Sequence, residues 1–258
     1  MRILVLVKEV PDTYGDRHIT LETGLVDRGA SESVVDEIGE RAVEAALTLA
    51  ETVPDTTVSV LAMGPAEATN SIRKALAMGA ADAVHVADDA LVGADLTLTS
   101  EVLAEVIRRR EVDLVLTGNV STDGGGGVMA AMLAEQLGLP QASNLASISC
   151  DGTTVSGTRV LDDGSAEIEA PLPAVASITE ALPDPRFPSL KGIMAAKKKP
   201  VETLSAADLG VDTLGITGAR AIVIGVTTRP PRTGGTKVVD EGSGGVQLAE
   251  FLIKNNLV

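Results

Sequence analysis

The stretch Asp113–Pro140 reads D-L-V-L-T-G-N-V-S-T-D-G-G-G-G-V-M-A-A-M-L-A-E-Q-L-G-L-P. Its apolar start, Leu114-Val115-Leu116, predicts a buried parallel strand, and Met129, Met132, Leu133 and Leu137 fall at helical spacing. Between them lies a loop of Ser121, Thr122, Asp123 and the four glycines Gly124, Gly125, Gly126 and Gly127. Glycine lets backbone N–H groups approach a ligand closely, and the following helix presents unpaired N–H groups at its positive end. A nucleotide phosphate is the natural occupant of such a place. The alternative is a flexible surface loop without a ligand. The position between a strand's carboxyl end and a helix N-terminus favours the ligand, because open α/β sheets bind there. The pattern is neither a Walker A loop nor a G-x-G-x-x-G fingerprint. No P-loop lysine follows the glycines, which points to nucleotide binding without phosphoryl transfer.

Outward from this stretch, strand and helix signals alternate over the first 140 or so residues. Ile3–Val7 predicts a first strand buried on both faces. Asp36 is placed to cap a helix whose apolar stripe is Ala42, Val43, Ala46, Leu47 and Ala50. Val58–Leu61 predicts a strand ended by Gly64-Pro65, and Ala66–Met78 a helix closed by Gly79. Ala83–Val86 predicts a strand, and Leu98, Val102, Leu103, Val106 and Ile107 a helix. This alternation implies an α/β fold with a doubly wound, mostly parallel sheet. After Pro140, Thr153–Val160 and Ala166–Glu169 predict a hairpin turning at Asp162-Asp163-Gly164, and Val175–Ile178 one more strand. Beyond Leu182 the chain turns irregular, with a short strand expected at Ala221–Val226 and a final helix carrying Leu248, Phe251 and Leu252. The expected organisation is a nucleotide-binding α/β domain over residues 1–182. Residues 183–258 would form an extended arm, too thin for a core of its own and lying on a partner.

Composition narrows the function. The 258-residue chain has a formal net charge of −15, is 45% hydrophobic, and holds one Tyr, two Phe and no Trp. Its core is therefore aliphatic, and a cofactor ring would need stacking partners from another chain. The charge argues against nucleic acid and anionic membranes as general partners. One cysteine, Cys150, and two histidines, His18 and His85, exclude an intramolecular disulfide and Cys- or His-rich metal sites. No signal peptide or membrane-spanning run is read, so a cytoplasmic, soluble protein is expected. His85, in A-V-H-V, predicts a satisfied core histidine, and His18 a solvated one.

The residues then become familiar. V-K-E-V-P-D (Val7–Asp12), E-R-A-V-E-A-A (Glu40–Ala46), G-P-A (Gly64–Ala66) and I-R-K-A-L-A-M-G-A (Ile72–Ala80) occur in order. They are followed by T-G-N-V-S-T-D-G, G-L-P-Q (Gly138–Gln141), P-R-F-P-S-L-K-G-I-M-A-A-K-K-K (Pro185–Lys199) and R-T-G-G-T-K-V (Arg232–Val238). The chain resembles, nearly end to end, the β subunit of electron-transfer flavoprotein. G-T-R-V-L-D-D-G-S-A-E (Gly157–Glu167) and L-P-A-V (Leu172–Val175) match the family's signature stretch. Glu169 and Ala176 stand where aliphatic residues are usual, a departure that bears on strand packing rather than activity.

The resemblance implies a Rossmann-like, adenine-nucleotide-binding fold with a C-terminal hairpin region, and makes residues 183–258 an extended recognition loop and C-terminal arm. It implies a heterodimer in which an α subunit holds most of the FAD and this subunit closes one side of the flavin. This subunit would bury an AMP, which flavin-bifurcating members replace with a second FAD. Electrons would arrive from acyl-CoA or related dehydrogenases and leave to a membrane quinone oxidoreductase, as in fatty acid oxidation. No catalytic residue is implied, so the chain is expected to be an electron carrier and not an enzyme. Leu6 and Met63 match adenosine-lining positions, and Asp36, Glu37, Ile38 and Gly39 the segment that meets the nucleotide sugar. Gly124–Gly127 with Asp123, Val128 and Met129 match the phosphate loop. There Asp123 reads as a helix N-cap in preference to a direct ligand. Tyr14 stands one residue from the family's flavin-edge aromatic, whose matching position here is Thr13. Leu190 matches an anchor leucine for the dehydrogenase, with Phe187, Ile193 and Met194 as apolar neighbours, and Lys197–Lys199 reads as a solvated, partner-facing patch. A universal-stress-type nucleotide regulator is the rival reading, although it would not need the segment after Leu182.

Overall fold

The apolar Ile3–Val7 run sits at the middle of the sheet. The computed structural model describes residues 1–214, 218–231, 234–235 and 237–258; Arg232, Thr233 and Thr236 of the Arg232–Val238 motif lie outside them. The first strand, β1 (Arg2–Leu6), leads through the short pair β2 (Glu9–Pro11) and β3 (Ser33–Val35) to helix α1 (Glu37–Thr52). Strand β4 (Thr57–Met63), helix α2 (Thr69–Met78), strand β5 (Asp82–Val86) and helix α3 (Leu96–Arg108) follow. Then come β6 (Leu114–Gly118), α4 (Met129–Leu137), β7 (Gln141–Leu145), β8 (Ser149–Cys150), β9 (Thr154–Leu161), β10 (Gly164–Pro171) and β11 (Ala174–Ile178). Helix α5 (Leu190–Ala196), strand β12 (Val201–Leu204), helix α6 (Ala206–Leu209) and helix α7 (Gly244–Lys254) complete the chain.

Among the described residues the main sheet has ten strands, ordered β10-β9-β7-β11-β6-β1-β4-β5-β12, with β8 paired to β9. From β7 across to β12 every neighbouring pair is parallel, with β1 between β4 and β6 (Ile3↔Val58, Ile3↔Leu114). The remaining end is antiparallel, where β9 and β10 form the expected hairpin with Leu161 opposite Gly164. Alternate side chains of β1 feed different layers. Ile3 and Val5 join the cluster under α1 and α2, while Leu4 joins the one under α3 and α4. A strand buried on both faces reads as a continuous apolar run for this reason.

Two expectations change. Ala221–Val226 forms no strand: the segment has no regular structure, and Ile222, Val223 and Ile224 are exposed. The β-branched residues are present, but among the described residues they pair with no strand of the sheet. Conversely, the stretch after Leu182 is not all irregular. It contributes α5, which packs on α2, and β12, which adds a parallel strand beside β5. Glu169 lies on the exposed face of the hairpin, where a carboxylate costs no packing, and Ala176 is fully buried in β11. The chain forms two compact units, Met1–Gly225 and Val226–Val258. No helix among the described residues is long and apolar enough to cross a membrane.

Candidate functional site

Strands β1, β4 and β6 end in parallel at Leu6, Met63 and Gly118. The chain steps from β1 to β4 and β5 on one side, then returns to β6 on the other. A crevice therefore opens at the carboxyl ends of β1 and β6, the place where open α/β sheets take ligands. The start of α1 closes in on it. A Cβ at Gly118 would lie 2.6 Å from Cγ1 of Ile38, so only glycine lets α1 approach β6 this closely. Gly39 faces Val7 Cα at 3.7 Å, measured from its would-be Cβ.

The glycine loop lies over this crevice. Asp123, with a side chain only 2% exposed, accepts from Lys8 Nζ at 2.7 Å and Arg28 Nη2 at 3.3 Å. Its Oδ1 also accepts the N–H of Gly124 at 2.6 Å. Burial works against its charge, but the Lys8 ammonium and these hydrogen bonds outweigh burial and hold its carboxyl below the usual range. The Arg17 guanidinium donates to the carbonyl of Thr122. Asp123 is thus not the helix N-cap expected of it. Val128 holds that position with no capping side chain, and Asp123 instead pins the loop to the end of β1 and to the Arg28 segment. The N–H of Gly125 is taken by Ser121 O at 3.0 Å. Those of Gly126, Gly127 and Val128 have no partner among the described residues. Gly125 (φ +62°) and Gly127 (φ +65°) need glycine for their backbone; a Cβ at Gly126 would meet only the Leu96 side chain, at 3.1 Å.

Asp36 is 1% exposed. Its backbone starts α1, with its carbonyl accepting from the Gly39 and Glu40 N–H groups, but its side chain makes no cap. Oδ2 turns across to accept the Thr122 N–H at 2.8 Å. Oδ1 and the Thr122 hydroxyl are both buried without a hydrogen-bond partner. Burial pushes the Asp36 carboxyl above its ordinary range against the pull of the Thr122 N–H, and the charge of Asp123 adds to the rise. Leu6, Met63 and Met129 are half-buried against the apolar cluster beneath, while Glu37 is exposed. Lys8, Arg17 and Arg28 were not expected at this site. Their one signal in the sequence is basic charge placed just after the first strand of an acidic chain.

An electron transfer flavoprotein domain model matches residues 23–209. The electron transfer flavoprotein subunit beta of Mycobacterium tuberculosis is 46% identical over 263 residues, covering 99% of each chain. That of Megasphaera elsdenii is 31% identical over 271 residues and all of both chains. The caffeyl-CoA reductase-Etf complex subunit CarD of Acetobacterium woodii is 34% identical over 241 residues, 92% of each. The chain belongs to the electron-transfer flavoprotein β-subunit family.

Membership fixes the general role as electron transfer within a flavoprotein and sets aside the universal-stress reading. The donor set at the crevice also fits what the family implies. Unpartnered N–H groups and two cations suit a phosphate, and a buried unpartnered carboxylate oxygen suits a hydroxyl donor. Tyr14 and the positions on and before α5 that the flavoprotein resemblance names are exposed. Tyr14 is 93% exposed, with its N–H on Asp12 Oδ1. On and before α5, Phe187 is 97% and Leu190 84% exposed, and Ile193 and Met194 are also exposed. Lys197 and Lys198 are solvated, but Lys199 is not. Its ammonium donates to Leu76 O at 2.8 Å and Ala80 O at 2.6 Å, closing the end of α2. His85 is buried with Nε2 3.2 Å from Gly64 O, and His18 is exposed, both as expected. A separate cleft of about 770 Å³ lies between α3, α4 and the segment after α6, lined by Glu105, Arg108, Gln136 and Val211.

Proposed function

We propose that this chain is the β subunit of a heterodimeric electron-transfer flavoprotein. It would carry electrons from acyl-CoA or related dehydrogenases to a membrane quinone oxidoreductase, as a cytoplasmic carrier without catalytic residues of its own. In this reading it binds AMP at the crevice and closes one side of an FAD held mainly by the α subunit. The observation that carries the nucleotide part is the meeting of the glycine loop with the start of α1. The N–H groups of Gly126, Gly127 and Val128 have no partner among the described residues, and the Thr122 N–H of the same loop holds Asp36, whose other oxygen is buried without one.

Each residue then has a task. The N–H groups of Gly126–Val128 and the first turn of α4 at Met129 receive the phosphate, in a loop whose shape Gly124–Gly127 allow. Asp123 holds Lys8 and Arg28 where their positive charge lowers the cost of bringing an anion close. Asp36 and Thr122 meet ribose hydroxyls, with Glu37, Ile38 and Gly39 forming the adjoining wall. Leu6 and Met63 line the adenosine. Bound FAD supplies the electron-accepting chemistry, and Tyr14 supplies an aromatic at the flavin edge. Leu190, Phe187, Ile193 and Met194 form the docking face for the dehydrogenase. Within residues 183–258 the recognition loop and arm serve partners, while β12 and α6 add to the main sheet and its core.

Co-expression with the α subunit, followed by extraction and chromatographic counting of flavin and AMP, tests this. One FAD and one AMP per heterodimer is expected. Two FAD and no AMP would mark the flavin-bifurcating reading, and a colourless homodimer would sink the flavoprotein reading altogether.

A further inference from the structure

The docking face raises a physical problem. Four large apolar side chains stand in water on a short segment, which by itself would fold them inward or lose its shape. What surrounds the segment is polar, and it grips the backbone. Arg186, immediately before Phe187, makes three hydrogen bonds to the Glu44 carboxylate of α1. They run from its own N–H (2.9 Å), Nε (2.7 Å) and Nη2 (2.8 Å). Nη1 adds a fourth, to Glu51 Oε1 about two turns further along α1 at 2.8 Å. Arg41 of the same helix donates to Leu182 O and Asp184 Oδ1, both at 2.5 Å.

The far end is gripped as firmly. Arg73 Nη1 of α2 donates to both Ala196 O and Lys199 O at 2.7 Å, while Lys199 donates back to Leu76 O in α2 and to Ala80 O just past its end. Between the grips, α5 lies so close to α2 that a Cβ at Gly192 would stand 2.4 Å from Ala77 O. Ser189 caps α5 through Gly192 N at 3.0 Å.

We infer that Arg186 is a positioning residue: its fork on Glu44 and Glu51 fixes the entry to α5, so that Phe187 and Leu190 are presented ready for an electron-donor protein. A planar guanidinium held by two carboxylates fixes direction as well as distance, which lysine does not do. Fixing the segment beforehand removes ordering entropy that docking would otherwise cost. The inference rests on the proposed docking role of α5, and its test separates the two ideas.

The experiment uses the flavin-loaded heterodimer and a purified acyl-CoA dehydrogenase from the same source as the electron donor. Arg186→Gln should raise KM for the heterodimer roughly tenfold with kcat at saturation unchanged. Amide hydrogen exchange over 187–196 should become faster, while flavin content and melting temperature stay near wild type. Glu44→Gln should give the same phenotype. The double variant should be no worse than either single one, because the two side chains act as a unit. Wild-type exchange and KM in Arg186→Gln, with Leu190→Ala impaired, would overturn the positioning role alone. So would a fall in kcat and melting temperature together, which marks a structural role. A Leu190→Ala heterodimer with wild-type kinetics would overturn the docking reading, and the inference with it.

Discussion

Asp36 shows how much a single buried oxygen decides. Its Oδ1 has no partner, and burial raises its carboxyl above the ordinary range, so the folded chain binds that proton more tightly than the unfolded chain does. The sign follows: stability falls as pH rises from the ordinary aspartate range to the raised folded value, and the loss is complete above it. Asp36→Asn keeps an acceptor for the Thr122 N–H and turns a donor toward the Thr122 hydroxyl. It is expected to stabilise the nucleotide-free chain near neutral pH by on the order of 1 kcal/mol. The gain should shrink in acid; melts at both pH values check it, and an equal gain at both would refute the titration argument. The glycines give a second test. Gly127→Ala puts a side chain on a left-handed backbone (φ +65°), at a cost of about 1–2 kcal/mol. Gly126→Ala meets only the movable Leu96 side chain. The first variant should lose bound AMP and the second keep it. The sequence makes four glycines in a row legible, but not which two need to be glycine, because φ depends on how Asp123 and Ser121 hold the loop. Nor does it show that Asp36 reaches across to Thr122, a partner 86 positions away.

At the scale of elements, local pattern was enough wherever an element carries its own apolar rhythm. Strands β1, β4, β5, β6 and β11, helices α1 to α4 and the β9–β10 hairpin are all readable in this way. The misses share a cause, which is that tertiary partners make the element. Strand β7 (Q-A-S-N-L) is too polar to signal a strand and forms because β11 and β9 flank it. Helix α5 follows three closely spaced prolines and is only seven residues long, too short to stand without the grip of α2. The Ala221–Val226 segment errs the other way, having strand-forming residues that pair with no strand among the described residues. The α5–α2 contact is the most exacting of these. A methyl group at position 192 would overlap the Ala77 carbonyl, so Gly192→Ala must push α5 off its seat. A cost of about 1–3 kcal/mol is expected, seen as a fall in melting temperature of roughly 2–4 °C per kcal/mol. Gly138→Ala is strained for another reason, its φ of +65°, and has nothing within 4 Å to strike. Its loss should therefore leave electron uptake untouched, whereas that of Gly192→Ala should slow it.

Across the whole molecule, composition anticipated an aliphatic core and a chain unfinished by itself. The core holds Ile, Val, Leu, Ala and Met and none of the three aromatic residues; Tyr14, Phe187 and Phe251 are all exposed. Within the larger unit Leu214, Ile222 and Ile224 face solvent; in the Val226–Val258 unit no residue of α7 is buried, with Val246, Leu248, Phe251 and Ile253 all exposed. Covering one such side chain contributes about 1.5–3 kcal/mol, so so many left open amount to a surface awaiting a partner. Which partner could not be read from the residues alone, since apolar surface carries little identity; that came from the order of the family motifs. The expected outcome is that the isolated chain melts below the heterodimer. With the α subunit free at a hundred times the dissociation constant, mass action adds about 2.7 kcal/mol. For a chain of this size that is roughly 5–11 °C, and the shift should grow with α-subunit concentration. Melts of the isolated chain across a range of α-subunit concentrations decide it. A midpoint that does not move would mean that the exposed apolar residues meet no partner in the complex, and the heterodimer reading would lose its physical basis.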